Sequence, residues 1–599
     1  MKNIKNIAIM CLSLLVFGAC EDTVLNLEDP GAPTDATFFQ TEDQLEIALA
    51  GIYQSLNYVR TVPFPQLLDH TTDYAFNRGN VGGTIATTSG GLSSTEAIVS
   101  VFWDRFYTGI QRSNNLLSNM EKAKSVTDPE RYMQIKAEGL FLRALFYSYL
   151  TELYGDVPFR TEIVTSLDDL IIPKTSKATI GANILSDLEE VATILPAVQP
   201  SGERGRASAN AANALIARIA LYNGDMELAE SAALKVINST EKPSLFPDYE
   251  TLFTADGVGA SEVILDLSYK DGTQTHKIAQ VQGSRFGGWC QLVPAQQTVD
   301  SYETINGLPI DEDPSYDPAN PFANRDPRLK ASIAIPGEIW SDHIIMQHSD
   351  SIATWKVQSG VKVERVFNPN AANPAGRKII DPLTGTEYTA GGANRFTSFT
   401  GYFWKKFSDE PALILMNGTA LRSEQPVYLI RYAEVLLTYA EAKIEAGTID
   451  NSVLDAINEV KARAYNNSGI PYPVVTTTDQ NELRKIVRRE RKVEFADEGL
   501  RLFDIRRWGI AEKVMNTTVY GGPANGFSKI GGLGFVPNID EDGFVTYPGA
   551  PSQPRVELGN LDYRTLEVRV FDPNKHYLWP IPQSEIDASG GIVKQNQGY

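Results

Sequence analysis

The sequence predicts a mainly α-helical fold: tetratricopeptide-like helical hairpins forming an α-α superhelix-like scaffold, interrupted by a large, irregular, loop-rich insertion. Three observations carry this prediction. The window Arg206–Val236, RASANAANALIARIALYNGDMELAESAALKV, reads as two short helices around Asn223-Gly224-Asp225. Small residues at Ala211, Ala214, Ala217 and Ala229 permit close helix approach, while Leu215, Ile219, Tyr222 and Leu228 fill the seam. A second copy lies at Val427–Ala464, where YLIRYAEVLLTYAEAKIEAG is joined to VLDAINEVKARA. Between Glu241 and Gln425 the helical period fades into prolines, glycines and short β-like runs such as SEVILDLSY. Widely separated copies of one hairpin imply a solenoid-like face broken by an insertion.

The elements follow in order. Lys2 and Lys5 precede an apolar run, Ile7 to Phe17, and then Gly18, Ala19 and Cys20. At ~1.5 Å rise per residue that run is too short to cross a ~30 Å hydrocarbon core as a helix, so residues 1–19 read as a signal peptide. Residues 20–40 read as a polar tether. Residues 41–240 form an N-terminal helical region. Its first helix, Glu42 to Tyr58, opens on a capping box of Thr41 and Gln44. Residues 60–95 become Gly-rich and read as a long exposed loop. Helical periodicity resumes at Glu96, again from Glu130 to Tyr154 with Pro129 at its start, and from 179 to 195. Residues 241–425 are the insertion and residues 426–599 a C-terminal region.

The densest stretch is Arg484–Gly509, RKIVRRERKVEFADEGLRLFDIRRWG. Leu483, Ile486, Val487 and Val493 mark an imperfect helical stripe that Gly499 breaks. Glu490, Glu494, Asp497, Glu498 and Asp504 are interleaved with the bases and would repel phosphates, so the run reads as ion pairs tying a helix to the body and not as a nucleic-acid patch. The net charge of −20 also argues against polyanionic partners.

This stretch closely resembles the C-terminal signature of the SusD/RagB family, with Leu500 where His or Tyr is usual. Four further blocks agree in order: Trp103, Tyr107, Ile110 and Asn114; KAEGLFLRALFYSYLTELYGDVP; GLPIDEDPSYDPANPFANRDPRL; and the terminal HYLWPIPQSEIDASGGIVKQNQGY. In the third block Asp326 and Arg328 flank Pro327, which reads as a fixed turn carrying an ion pair. The residues before Cys20 resemble a bacterial lipobox, so Cys20 is the expected lipid attachment point. The resemblance implies an outer-membrane, cell-surface lipoprotein of Bacteroidetes. Such a protein captures a glycan without altering it and delivers it to a SusC-like TonB-dependent transporter; peptide capture of the RagB type is the alternative, and glycoside hydrolysis a less favoured one.

The residues themselves show no HExxH, P-loop, dinucleotide fingerprint or nucleophile elbow, and no cofactor is implied. Asn538, Asp540, Asp542 and Gly543 imitate the opening of a calcium loop, but Gly549 stands at the twelfth position, so a turn before a strand is expected. Sugar rings stack on exposed aromatic faces. Trp103, Trp508 and Trp579 sit in apolar patterns and are expected inside, leaving Trp289, Trp340, Trp355 and Trp404 in the insertion. By resemblance to sugar-binding relatives, the loop after the first helix supplies Asp73, Phe76, Asn77 and Arg78 to the ligand site, together with Trp289 and Trp340.

Overall fold

Helices form where period and caps coincide. The computed structural model describes residues 38–57, 62–166, 169, 171–270, 273–278, 290–340, 343–344, 353–358, 361–367, 378–380, 387–389, 398, 400–408, 423–523, 536–547, 555–558 and 561–599. Cys20, the leader and most of the tether lie outside them, as does Trp289. The main helices are Glu42–Leu56 (α1), Phe64–Asp69 (α2), Ala97–Asn119 (α3), Pro129–Tyr154 (α4), Lys177–Ile194 (α5), Ala209–Asn223 (α6) and Met226–Ile237 (α7). After the insertion come Tyr432–Ala446 (α8), Asn451–Tyr465 (α9), Gln480–Glu494 (α10), Arg501–Arg507 (α11) and the short Gln583–Ala588 (α12). Thr41 caps α1 by accepting from the Gln44 N–H, while the Gln44 amide reaches back to the Gln40 N–H at 2.7 Å.

Each helix from α3 to α7 packs on its successor, and α7 then packs on α8, so the two predicted hairpins stack directly across the insertion. Small residues make the seam: Ala220, Ala229 and Ala442 are buried together with Leu221. Gly224 ends α6 in the left-handed conformation at φ 80°, where its missing Cβ costs nothing. Arg218 of α6 donates two 2.6 Å bonds to the Glu434 carboxylate of α8, and a third to the Leu429 carbonyl. The repeats are thus fastened by charge as well as by packing.

Strands are short. Ala75–Asn77 (β1), Val263–Leu267 (β2), Leu292–Pro294 (β3), Ile333–Ala334 (β4), Ile339–Trp340 (β5), Phe403–Trp404 (β6), Val427–Arg431 (β7), Thr518–Pro523 (β8) and Leu561–Val568 (β9) are those that matter here. β1 pairs with β3, β2 with β7, β4 with β6 and β8 with β9, all antiparallel. Two sequence readings change. Val427–Arg431 opens the second hairpin as a strand, because a short apolar run bounded by a proline fits either period and the SEVILDLSY strand is there to pair with it. Trp404, expected among the open aromatics, is fully buried in β6.

The largest departure concerns the loop after α1, expected to be exposed. Residues 62–77 are buried throughout, despite Gln66, Asp69, His70, Thr71, Thr72 and Asp73. Their polar groups find partners in the charged signature. The Gln66 amide donates to the Asp497 carbonyl at 3.2 Å, and the Asp69 carboxylate accepts the N–H groups of Gly499 and Arg501 at 2.9 and 3.3 Å. Burial pushes the Asp69 carboxyl up to about 7, against the pull of those two N–H groups. The folded chain therefore holds a proton that the unfolded chain releases near pH ~3.9. Asp69 thus lowers stability progressively as pH rises from ~4 to ~7, and Asp69→Asn is expected to flatten that part of the slope in urea unfolding.

The signature itself forms buried ion pairs, as its charge interleaving predicts. Glu494 accepts from Arg431 at 2.6 Å, from Arg328 at 2.9 Å and from Arg463. Glu490 accepts from Arg328 and Lys461 at 2.5 and 3.1 Å, and Glu498 from Arg431 and Lys406 at 2.6 and 2.7 Å. Arg328 also pairs with Asp326 at 2.7 Å across the predicted turn. The C-terminus is ordered: Trp579 and Ile581 are buried, and the Asn596 amide donates to the Tyr154 and Trp579 carbonyls.

Candidate functional site

The buried 62–77 run delivers β1 to β3, placing Phe76 opposite Val293 and Asn77 opposite Leu292. Phe76, Cys290, Val293, Ala334, Phe403 and Val519 form one apolar cluster on which the half-buried Trp340 rests. The Trp340 ring lies 5.4 Å from that of Phe403, with the Lys405 ammonium 5.9 Å from its centroid. Neighbouring Ile339 is 57% exposed, so this end of β5 meets solvent.

The six expected ligand residues do not share one role. Asp73 is buried and bound by Arg501 through two 2.8 Å bonds, with the Lys492 ammonium 3.4 Å away. Burial alone would raise its carboxyl, but Arg501 and Lys492 outweigh this and hold it well below the usual carboxylate range. Phe76 is core. The Asn77 amide ties its own loop, accepting the Gly79 and Val81 N–H groups and donating to the Val81 carbonyl and the Thr84 hydroxyl. Asp73, Phe76 and Asn77 are therefore occupied within the fold. Arg78 is half-buried, its backbone N–H donating to the Gln291 carbonyl at 2.9 Å, and burial lowers its pKa. Arg78 and Trp340 are the two whose described side chains reach the surface.

Sequence reasoning missed an adjoining groove of about 440 Å³. Its walls include Tyr520 and Tyr547, with ring centroids 5.1 Å apart, and Arg569. The Tyr547 hydroxyl donates to Asp300 at 2.6 Å, which fixes the ring; burial pushes the Asp300 carboxyl up to about 6. The Arg569 guanidinium donates to the Thr72 and Ala75 carbonyls, so it braces β1 from the groove side. Three distant chain segments meet here, and no periodicity or motif could have joined them. The acidic turn at Asp540 and Asp542 is filled from within: Lys513 binds the two carboxylates at 2.6 and 2.7 Å, between the short strands Asn538–Ile539 and Val545–Thr546. The Lys513 ammonium thus offsets the charge of this acidic turn.

Known proteins agree with this architecture. Residues 261–599 match the SusD family, and residues 27–221 match a family described as starch-binding, associating with outer membrane. A SusD-like protein P2 of Formosa agariphila is 26% identical over the whole of both chains. A solved SusD-like carbohydrate binding protein from Bacteroides fragilis superposes with a TM-score of 0.73 at 27% identity, covering 93% of this chain and 100% of that one. Surface glycan-binding protein A of Bacteroides thetaiotaomicron, solved with laminarihexaose, shares the fold at a TM-score of 0.62 and 18% identity, over 93% of this chain and 99% of that one. With more than half of its length matched, the chain belongs to the SusD family.

Proposed function

We propose that this protein is a surface-exposed outer-membrane lipoprotein that captures an oligosaccharide or polysaccharide and passes it intact to a TonB-dependent transporter. Cys20 is the proposed lipid attachment point. The observation that carries the reading is the half-buried Trp340, seated on Phe403 beside a lysine cation, in a face built from the irregular segments. Such a ring offers a flat apolar surface to sugar C–H groups, while Arg78 offers guanidinium donors to hydroxyls. Trp289 belongs to the same proposal by the family resemblance. Relatives named as carbohydrate-binding support it.

Asp73 does not supply the carboxylic acid with which a glycosidase protonates its leaving oxygen, because Arg501 holds it as a carboxylate. Recovery of the bound sugar unaltered is the test of non-catalytic capture. Handing cargo onward also requires moderate affinity, because slow release would block delivery. Calorimetry with laminarihexaose, maltoheptaose and xylohexaose, and with the parent polymers laminarin, starch and xylan, tests the reading. One sugar class should bind and be recovered unhydrolysed. Trp340→Ala should weaken it about tenfold, or ~1.4 kcal/mol. Binding of none of these, or binding indifferent to Trp340, would count against it.

A further inference from the structure

Away from this face, the helical scaffold holds a larger cleft of about 780 Å³, within the ~300–1,000 Å³ range of small-ligand sites. Its floor is one stripe of α3. Trp103, Tyr107, Gln111 and Asn115 recur every fourth residue and line up on one flank, over ~18 Å at ~1.5 Å per residue. The opposite wall is the segment 158–164 and the end wall is Glu585 of α12.

This wall is built rigidly. The Tyr107 hydroxyl donates to the Pro158 carbonyl at 2.7 Å, and the Asn114 amide to the Arg160 carbonyl at 3.0 Å. Tyr147 both donates to the Arg160 carbonyl and accepts its N–H, and Arg143 donates to the Thr161 carbonyl at 3.1 Å. The family motif of Trp103, Tyr107, Ile110 and Asn114 thus fixes a pre-formed cleft, which lowers the ordering cost of any ligand.

We propose that this cleft is a second saccharide-binding site, separate from the Trp340 face; the inference rests on the glycan-binding reading above. Side-chain amides, carboxylates and guanidiniums of both donor and acceptor type converge there: Asp104, Gln111, Asn115, Arg160 and Glu585. Arrays of planar polar groups pair with vicinal hydroxyls, and Tyr107 supplies a fixed aromatic wall. The charges are of both signs, so a neutral sugar fits better than a sulfated or uronic one. Asp104 and Gln111 are exposed, and among the described residues neither side chain makes a hydrogen bond to protein, so both stand ready for ligand. Glu585, half-buried at the end wall, already accepts a hydrogen bond from the Trp103 indole, and burial raises its carboxyl. An extended peptide would instead need apolar side-chain pockets along the floor, and the exposed aliphatic groups, Ile163 and Val164, lie on one rim only.

A polymer long enough to reach both sites would be held at two points, so each site could stay weak enough to release its sugar. The test uses the sugar panel above. Wild type should take up two hexa- or heptasaccharides per chain. Asp104→Ala combined with Gln111→Ala, both on the helix surface, should leave the melting curve unchanged, reduce the stoichiometry to one and weaken binding of the parent polymer at least tenfold. Trp340→Ala should weaken the other site about tenfold and leave the cleft's affinity unchanged. A wild-type stoichiometry of one that the cleft variant does not alter would overturn the second site and leave the glycan-binding reading standing. Absence of any sugar binding by wild type would overturn both.

Discussion

Glu494→Gln is expected to destabilise the fold by ~3 kcal/mol or more. Three guanidiniums converge on this carboxylate, from Arg328, Arg431 and Arg463, and none of the four side chains is more than 3% exposed. Burial alone would raise the Glu494 carboxyl, but the three cations and Lys406 outweigh it and hold the group ionised, well below the usual range. Removing the charge leaves buried cations partly uncompensated, a loss of ~3–5 kcal/mol in comparable breaks. The contribution is present above the unfolded carboxyl pKa near ~4.3 and is lost as pH falls below it. Urea unfolding at pH 7 should show a lowered midpoint for the variant. The difference should shrink toward pH 3, and equal midpoints at pH 7 would show that the network contributes nothing.

Gly499→Ala is expected to be nearly as damaging, for a different reason. Gly499 has φ +85°, and a Cβ there would lie 2.7 Å from the Pro65 Cα and 2.8 Å from the Pro65 carbonyl oxygen. Left-handed strain costs ~1–3 kcal/mol for a residue with a side chain. The overlap adds to it, because backbone and not a flexible side chain stands in the way. Gly509 provides the control: it has φ +66° and nothing within 4 Å of a built Cβ, so Gly509→Ala carries the strain alone. Gly499→Ala should therefore cost more than Gly509→Ala. It should also weaken glycan binding, because Pro65 leads directly into the run that positions β1. Equal losses in the two variants would remove the close approach from the account.

What could be read in advance follows the range of the interactions. The hairpins at 206–236 and 427–464 are local, so alanine spacing and a turn glycine disclosed them. The Asp326–Arg328 pair is two residues apart and was equally visible. The burial of 62–77 was not, because its polar side chains are satisfied by Asp497, Gly499 and Arg501, far along the chain. Composition made that run look like a loop, and only the fold supplies its partners. The same distance explains the Trp340 face. Asp73 and Asn77 read in the sequence as ligand residues, yet their chemistry is spent on Arg501 and on the turn at Gly79. Tyr520 and Tyr547 carry no local signal, because they meet only once β8 and the turn after Asp540 come together.

A stiff helical body presses the 62–77 run into place, and that run sets the platform on which the half-buried Trp340 reaches solvent. The most direct measurement is a crystal structure of the protein soaked with whichever oligosaccharide of the panel it binds. The account predicts an intact sugar stacked on Trp340 within reach of Arg78, with Asp73 still paired to Arg501. A cleaved sugar, or a bound sugar that leaves Trp340 empty, would contradict it.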